Sequence, residues 1–327
     1  METFSLLRPP TVVGDVEHFD RDTALKQPLP DTLTIPTRIE AADISIVIAV
    51  KNNQSGIDRF LLQLSEIIDL ACYPREVIIV DNNSDVPITL NGDFPFPVVL
   101  TQCERKGPAA ARNEGVAAAR GRWILFTDSD CVPADSFIAG YLGYSRACVA
   151  FAGAVKLVGD DILTRYYREQ NIFIPLALSS PNGIEPWSIV TANCLVLKAA
   201  IEAVGGFDEQ FVYAGGEDSD LGVRLRKVGG IRYQFNSISL HEIDDGLQGF
   251  ASRFIRYGLG HKQLSKKYPD FFELTAVAVN NPTPLNRVLA SIHLNAMLWG
   301  LEGRSFQNFP LIRYMGSFEA ELSALLI

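Results

Sequence analysis

The sequence predicts an α/β fold, a mostly parallel sheet flanked by helices, and three observations predict it. Ile44 to Val50 is a continuous, largely β-branched run of the kind buried on both faces of a sheet. Ile57 to Leu70 repeats apolar residues at helical spacing through Phe60, Leu61, Leu64, Ile67 and Ile68. Val77 to Val80 then gives a second buried strand, and strand-helix-strand alternation argues for parallel pairing with helices on both faces.

The remaining elements follow in order. Val98 to Leu100 reads as a third strand. Pro108 occupies a first helical position, and the Ala-rich stretch to Arg120 stops at Gly121. Trp123 to Phe126 is the next strand. Val149 to Val155 and Ile189 to Leu197 read as strands with a helix at Ile162 to Phe173 between them. Ser219 to Val228 is a short helix and Ile231 to Phe235 a strand. From Leu247 the pattern is helical, with an amphipathic Leu285 to Leu301 and a last helix near Ser317 to Leu326. Residues 1–43, with Pro9, Pro10, Pro28, Pro30 and Pro36, read as an extended arm. The division expected is therefore an arm (1–43), a catalytic body (44–245) and a C-terminal helical region (246–327).

Composition excludes some functions. A net charge of −9 argues against a nucleic-acid binder, which needs a basic face. The five cysteines are scattered, without zinc-knuckle or dithiol spacing, and read as free thiols of a reducing cytosol. Met1 to Pro10 lacks a basic start followed by an apolar core. Leu285 to Leu301 is interrupted by Asn286, Arg287, His293 and Asn295, short of the about 20 apolar residues a spanning helix needs. A cytoplasmic protein is expected.

In open α/β sheets, ligands gather at the carboxyl ends of the strands. Three successive strands here end in polar clusters: Lys51-Asn52, Asp81-Asn-Asn-Ser-Asp85 and Thr127-Asp128-Ser-Asp130. Two carboxylates one residue apart, Asp128 and Asp130, can converge on a hard divalent cation, although such a pair also serves as ordinary turn chemistry. Farther on, Gly205-Gly-Phe-Asp-Glu209 precedes Tyr213-Ala-Gly-Gly-Glu217-Asp218-Ser-Asp220-Leu-Gly-Val-Arg224. Here Asp218 is either a functional carboxylate or a helix N-cap, with Asp220 complementing the helix dipole.

Taken jointly, these motifs closely resemble the family 2 glycosyltransferases of the GT-A fold. So does Pro108-Ala-Ala-Ala-Arg112-Asn113-Glu-Gly115 leading into Gly121-Arg-Trp-Ile-Leu-Phe-Thr-Asp-Ser-Asp. The resemblance covers roughly Ile44 to Glu242. It implies a metal-dependent, inverting transfer of a sugar from a nucleotide sugar, a UDP-sugar by preference, to an acceptor hydroxyl. It places Asp81, Arg112 and Asp128 on the donor side and Asn193 along the sugar pocket. Asp130 becomes a ligand of Mn²⁺ or Mg²⁺, with His241 either a further ligand or structural. Asp218 becomes the general base, ionised at neutral pH if it keeps an ordinary pKa near ~3.9. Glu217 and Tyr213 fall on the loop facing the acceptor.

The sequence departs from the pattern at that loop. The Gly-Gly-Glu-Asp block looks most like relatives that transfer galactose or N-acetylhexosamines, which usually carry Gly-Trp before the two glycines. Tyr213-Ala214 stands there instead, so hexosyl and N-acetylhexosaminyl transfer are both left open.

Arg253, Arg256, Lys262, Lys266 and Lys267 fall in a stretch without acidic residues. They are either a solvated helix face or a cradle for an anionic acceptor such as a lipid diphosphate. Contact with anionic headgroups at the inner membrane face belongs to the second reading. Two other functions can share a related sheet. A sugar-1-phosphate nucleotidyltransferase needs a Gly-rich, basic loop after the first strand, where Lys51-Asn-Asn-Gln-Ser-Gly56 stands. A degenerate carbohydrate-binding protein of this fold would have shed Asp130 or Asp218.

Overall fold

The structure, a computed structural model, describes residues 33–69, 72–175, 177–180, 183–243, 246–269, 279–304 and 309. It begins with strands β1 (Arg38–Ile39) and β2 (Ile44–Val50), followed by helix α1 (Gln54–Ile67). Strands β3 (Glu76–Asp81) and β4 (Val98–Gln102) lead into α2 (Pro108–Ala118), β5 (Trp123–Asp128) and the short β6 (Cys131–Pro133). Next come β7 (Gly143–Tyr144), β8 (Cys148–Val158), α3 (Ile162–Glu169), and the hairpin β9 (Ala177–Ser180) and β10 (Gly183–Pro186). The described chain ends with β11 (Cys194–Leu197), α4 (Lys198–Ala203), α5 (Glu217–Leu225), β12 (Gly230–Glu242), α6 (Gly246–Lys267) and α7 (Pro284–Leu301).

An eight-stranded sheet runs in the order β4-β3-β2-β5-β11-β8-β12-β6. Neighbours β4 through β5 are parallel, as are β8 and β12, whereas β11 is antiparallel to both β5 and β8. The mixed, mostly parallel α/β architecture is the one expected. Strands β2, β3 and β5 are buried on both faces, as their unbroken apolar runs require. Ile189 to Leu197 does not form one strand; only Cys194–Leu197 pairs, because Thr191-Ala192-Asn193 turns instead.

The arm's last residues belong to the body. β1 pairs with β7, and Leu33, Ile39 and Ala41 are buried in the main core, so the boundary expected at residue 43 falls inside packed structure. At the other end, α6 and α7 share an aromatic core with α3, built from Tyr166, Tyr167, Phe250 and Phe254. The helix expected near Ser317 to Leu326 lies outside the described residues. No helix among the described residues is long and apolar enough to cross a membrane. All five cysteines are free thiols.

Candidate active site

Local folding aims each motif at one end of the sheet. Asn53 caps α1, its side chain accepting from the amide of Gly56 at 3.0 Å, while its Nδ2 donates to the carbonyl of Ser129 at 2.9 Å. The cap thus ties the helix to the Asp128-Ser129-Asp130 turn. Gly56 is required by this contact, since a Cβ there would come within 2.0 Å of the same carbonyl.

Strand β6 follows the turn directly and pairs antiparallel with β12, in a register that sets Cys131 opposite His241. This pairing brings His241 Nε2 to 3.6 Å from Asp130 Oδ2. Asp130, Cys131 and His241 together offer ligand atoms within 4.8 Å of one another. His241 Nδ1 lies 3.0 Å from the carbonyl of Glu242, which can only accept, so Nδ1 carries the proton and Nε2 presents a lone pair. Asp130 Oδ1 is buried and has no hydrogen-bond partner among the described residues. An imidazole lone pair beside an unsatisfied carboxylate oxygen fits a divalent cation. Burial, then Asp128, raises the Asp130 pKa against the opposing pull of His241 and Arg253. The Cys131 thiol is pushed far up by burial and by both aspartates, so oxygen and imidazole are the fitting ligands.

Arg253 is a functional candidate that sequence reasoning assigned elsewhere. Its guanidinium sits over the rings of Tyr167 and Phe173, 5.6 and 5.5 Å from their centroids, and Phe173 in turn packs on His241. It acts electrostatically on Asp130 and therefore brings positive charge to the candidate metal centre.

The second half of the site is built around α5. Gly216, at φ 96°, is its N-cap, so the capping role left open for Asp218 falls to the glycine. Asp218 stands in the first turn and accepts from the Ser219 amide at 2.7 Å. Burial and the neighbouring Glu217 push its pKa up to about 7, with Arg112 and the Ser219 amide working the other way. The ordinary carboxylate pKa expected from sequence is thereby corrected: burial next to a second acid outweighs the pull of Arg112 and of the Ser219 amide. Asp220 is fully buried, held by Arg224, Lys267 and Tyr268, and is structural.

Arg112 joins the two halves. From a buried position it donates to Glu217 Oε1 at 2.7 Å and to Asp128 Oδ1 at 2.9 Å. Burial works against its charge, but Asp128 and Glu217 more than restore it. Glu217 Oε2 accepts from the Gly215 amide at 2.7 Å, so the chain Asp128-Arg112-Glu217-Gly215 fixes the loop that carries Asp218. Arg112 was expected on the donor; its fork is instead committed to protein carboxylates.

Two further expectations meet a different placement. Asn193 is buried, accepting from Tyr141 Oη at 2.9 Å and donating to the carbonyls of Ala154 and Ser237 at 2.9 and 3.1 Å. Its amide joins the start of β11 to β8 and β12. Asp81 is also buried and accepts from the amides of Ser84 and Ile88 at 3.0 and 3.1 Å. Burial alone would raise its pKa, yet those bonds hold it below the usual value. Asp81 thus shapes the loop at the carboxyl end of β3. Tyr213 is exposed on the opposite loop.

The five basic residues do not form one face. Besides Arg253, Lys267 pairs with Asp208 and Asp220 at 2.8 and 2.6 Å, and Arg256 donates to Ser252 at 3.2 Å. Lys262 and Lys266 line one surface cavity, and Lys267 borders a separate hollow near Gly206 and Phe207.

Residues 45–203 match the family model described as Glycosyl transferase family 2. The pre-mycofactocin glycosyltransferase of Mycobacterium tuberculosis is 31% identical over 242 residues, covering 70% of this chain and 48% of that protein. The chain belongs to the family 2 glycosyltransferases. Glycosyltransferase AglE of Haloferax volcanii is 25% identical over 191 residues, covering 53% of this chain and 58% of its own. This glycosyltransferase chain spans about half the length of the curated relatives it matches first, 48% in the pre-mycofactocin case. Among solved structures, a Pyrobaculum calidifontis mannosyltransferase in complex with GDP-Man and Mn²⁺ superposes with a TM-score of 0.48 at 19% identity, covering 92% of this chain and 84% of that one.

Proposed function

We propose that the protein transfers a sugar from a nucleotide sugar to an acceptor hydroxyl in one displacement that inverts the anomeric centre, and that it needs a divalent metal. The observation that carries this reading is the pairing of two differently tuned carboxylate centres, Asp130 facing His241 and Asp218 with its pKa near 7, whose neighbours Asp128 and Glu217 are bridged by Arg112.

Asp218 takes the proton from the acceptor hydroxyl. A base with a pKa of about 7 is substantially ionised at neutral pH and still has affinity for that proton. Arg112 and Glu217 hold its loop in place without touching the proton themselves. Asp130 and His241 would hold Mn²⁺ or Mg²⁺, and such an ion would supply positive charge to neutralise the donor diphosphate. Arg253 adds a fixed positive charge on the same side. A direct attack requires no covalent intermediate, and no second carboxylate is assigned as a nucleophile.

A panel of nucleotide sugars incubated with the protein and Mn²⁺ tests the proposal, with release of nucleoside diphosphate as the readout. Slow hydrolysis of one donor, abolished by EDTA, is the expected result. No release from any donor, or release indifferent to EDTA, contradicts it.

A further inference from the structure

Beside the loop that carries Asp218 lies a cavity of about 230 Å³, lined by Tyr213, Gly215, Lys262, Gln263, Lys266 and Gly303 among others. We propose that it binds the phosphate or diphosphate group of the acceptor. The inference rests on the transferase reading for the word acceptor, though not for the anion site itself.

The argument starts from α6. Gln263 donates to the carbonyl of Gln210 at 3.0 Å, and Lys267 pairs with Asp208 and Asp220, so this part of the helix is fastened to the loop after α4. Lys262 and Lys266, one turn apart, pair with no carboxylate among the described residues and both border the cavity. The Lys262 ammonium lies over Gly303, 2.7 Å from where a Cβ would stand, which keeps it at the cavity and not along the helix. Two unneutralised ammonium groups in one concavity, in a chain of net charge −9, match a multivalent anion better than a neutral sugar.

Position makes the acceptor the fitting owner of that anion. Gly215 lines the cavity and is also the residue whose amide Glu217 holds, three positions from the base. Tyr213, exposed at the rim, offers an aromatic edge to the sugar or lipid portion beyond the phosphate. The donor's own diphosphate falls to the Asp130, His241 and Arg253 side. A larger hollow of about 420 Å³ near Gly206 and Phe207 is a poorer candidate, because its Arg224 and Lys267 are already paired.

Calorimetry with inorganic pyrophosphate tests this on the full chain in EDTA, which silences the metal centre. The wild type should bind; K262A/K266A should bind at least about tenfold more weakly, the worth of one lost charge-assisted contact, and K262R/K266R should recover most of the affinity. Binding of a nucleoside diphosphate with Mn²⁺ checks that each variant keeps an intact donor side. Equal pyrophosphate affinity in the wild type and K262A/K266A overturns the proposal, as does no binding at all. Sedimentation with phosphatidylcholine vesicles containing phosphatidylglycerol separates the two sources of phosphate. Release from vesicles by pyrophosphate supports a phosphate site, and vesicle binding that pyrophosphate leaves untouched overturns it in favour of a general membrane contact. Pyrophosphate binding without any donor hydrolysis would sink the transferase reading while leaving this site in place.

Discussion

Arg112 donates to Glu217 at 2.7 Å with both side chains buried, and that bond sets the position of the loop in front of Asp218. Arg112 also reaches Asp128, so one guanidinium neutralises carboxylates from two separate motifs. Removing it strands a buried negative charge. R112M should therefore lose about 3–5 kcal/mol of stability in urea unfolding, the usual result of breaking a buried pair from one side. R112M/E217Q should regain part of that loss while remaining inactive. If R112M unfolds at the wild-type urea concentration, the proposed keystone is wrong.

Asp218 makes activity and stability respond to pH in opposite directions. The base works ionised, so transfer should rise with pH through about 7 and level off above it. Folding shows the converse sign: a carboxyl with a raised folded pKa favours the native state below its unfolded value and loses that advantage as pH climbs through the folded one. D218N should melt higher than the wild type at pH 8, with the gap narrowing through pH 5 and closing only below the unfolded pKa of about 3.9. Its turnover should fall by roughly 10²–10⁴-fold. A flat pH–rate profile between pH 6 and 8, or near-normal turnover in D218N, would remove the base assignment.

Metal binding is separable from catalysis. Mn²⁺ without donor should stabilise the wild type by mass action, by about 2.7 kcal/mol at a hundredfold excess over the dissociation constant, and so raise its melting temperature. D130A and H241A should lose that response. C131A should keep it, because burial holds the Cys131 thiol protonated and leaves Asp130 and His241 as the ligands. Loss of the response in C131A alone would point to a thiolate site suited to a softer metal.

Gly56 gives a test of positioning at a distance from the reacting groups. Its missing Cβ lets α1 close on the Ser129 carbonyl, so G56A must push the Asp128–Asp130 turn outward. Mn²⁺ affinity measured by calorimetry should drop while the far-ultraviolet circular dichroism stays unchanged. Unaltered Mn²⁺ affinity in G56A would show that the turn tolerates the shift.

Much of this arrangement was legible in the sequence where burial is symmetric. Strands β2, β3 and β5 are apolar at most positions, and the runs Ile46–Val50, Val77–Val80 and Trp123–Phe126 announce them. The Pro108 helix start was equally plain. The short β6, from Cys131–Pro133, carries no periodicity, yet it delivers His241 to Asp130. The roles of Arg112 and Asn193 were hidden for another reason. Their partners lie far along the chain, Glu217 for the one and Tyr141 and Ser237 for the other, and no local pattern records them. The raised pKa of Asp218 was out of reach as well, since burial beside Glu217 is a property of the fold.

The stereochemistry of donor hydrolysis tests the central claim most directly. Once the donor panel yields a nucleotide sugar that is cleaved, proton NMR can follow the free sugar from the first turnovers, before mutarotation mixes the anomers. Direct attack by water in place of the acceptor should release the inverted anomer first, with D218N strongly slowed. First release of the retained anomer would contradict a single displacement with Asp218 as its base.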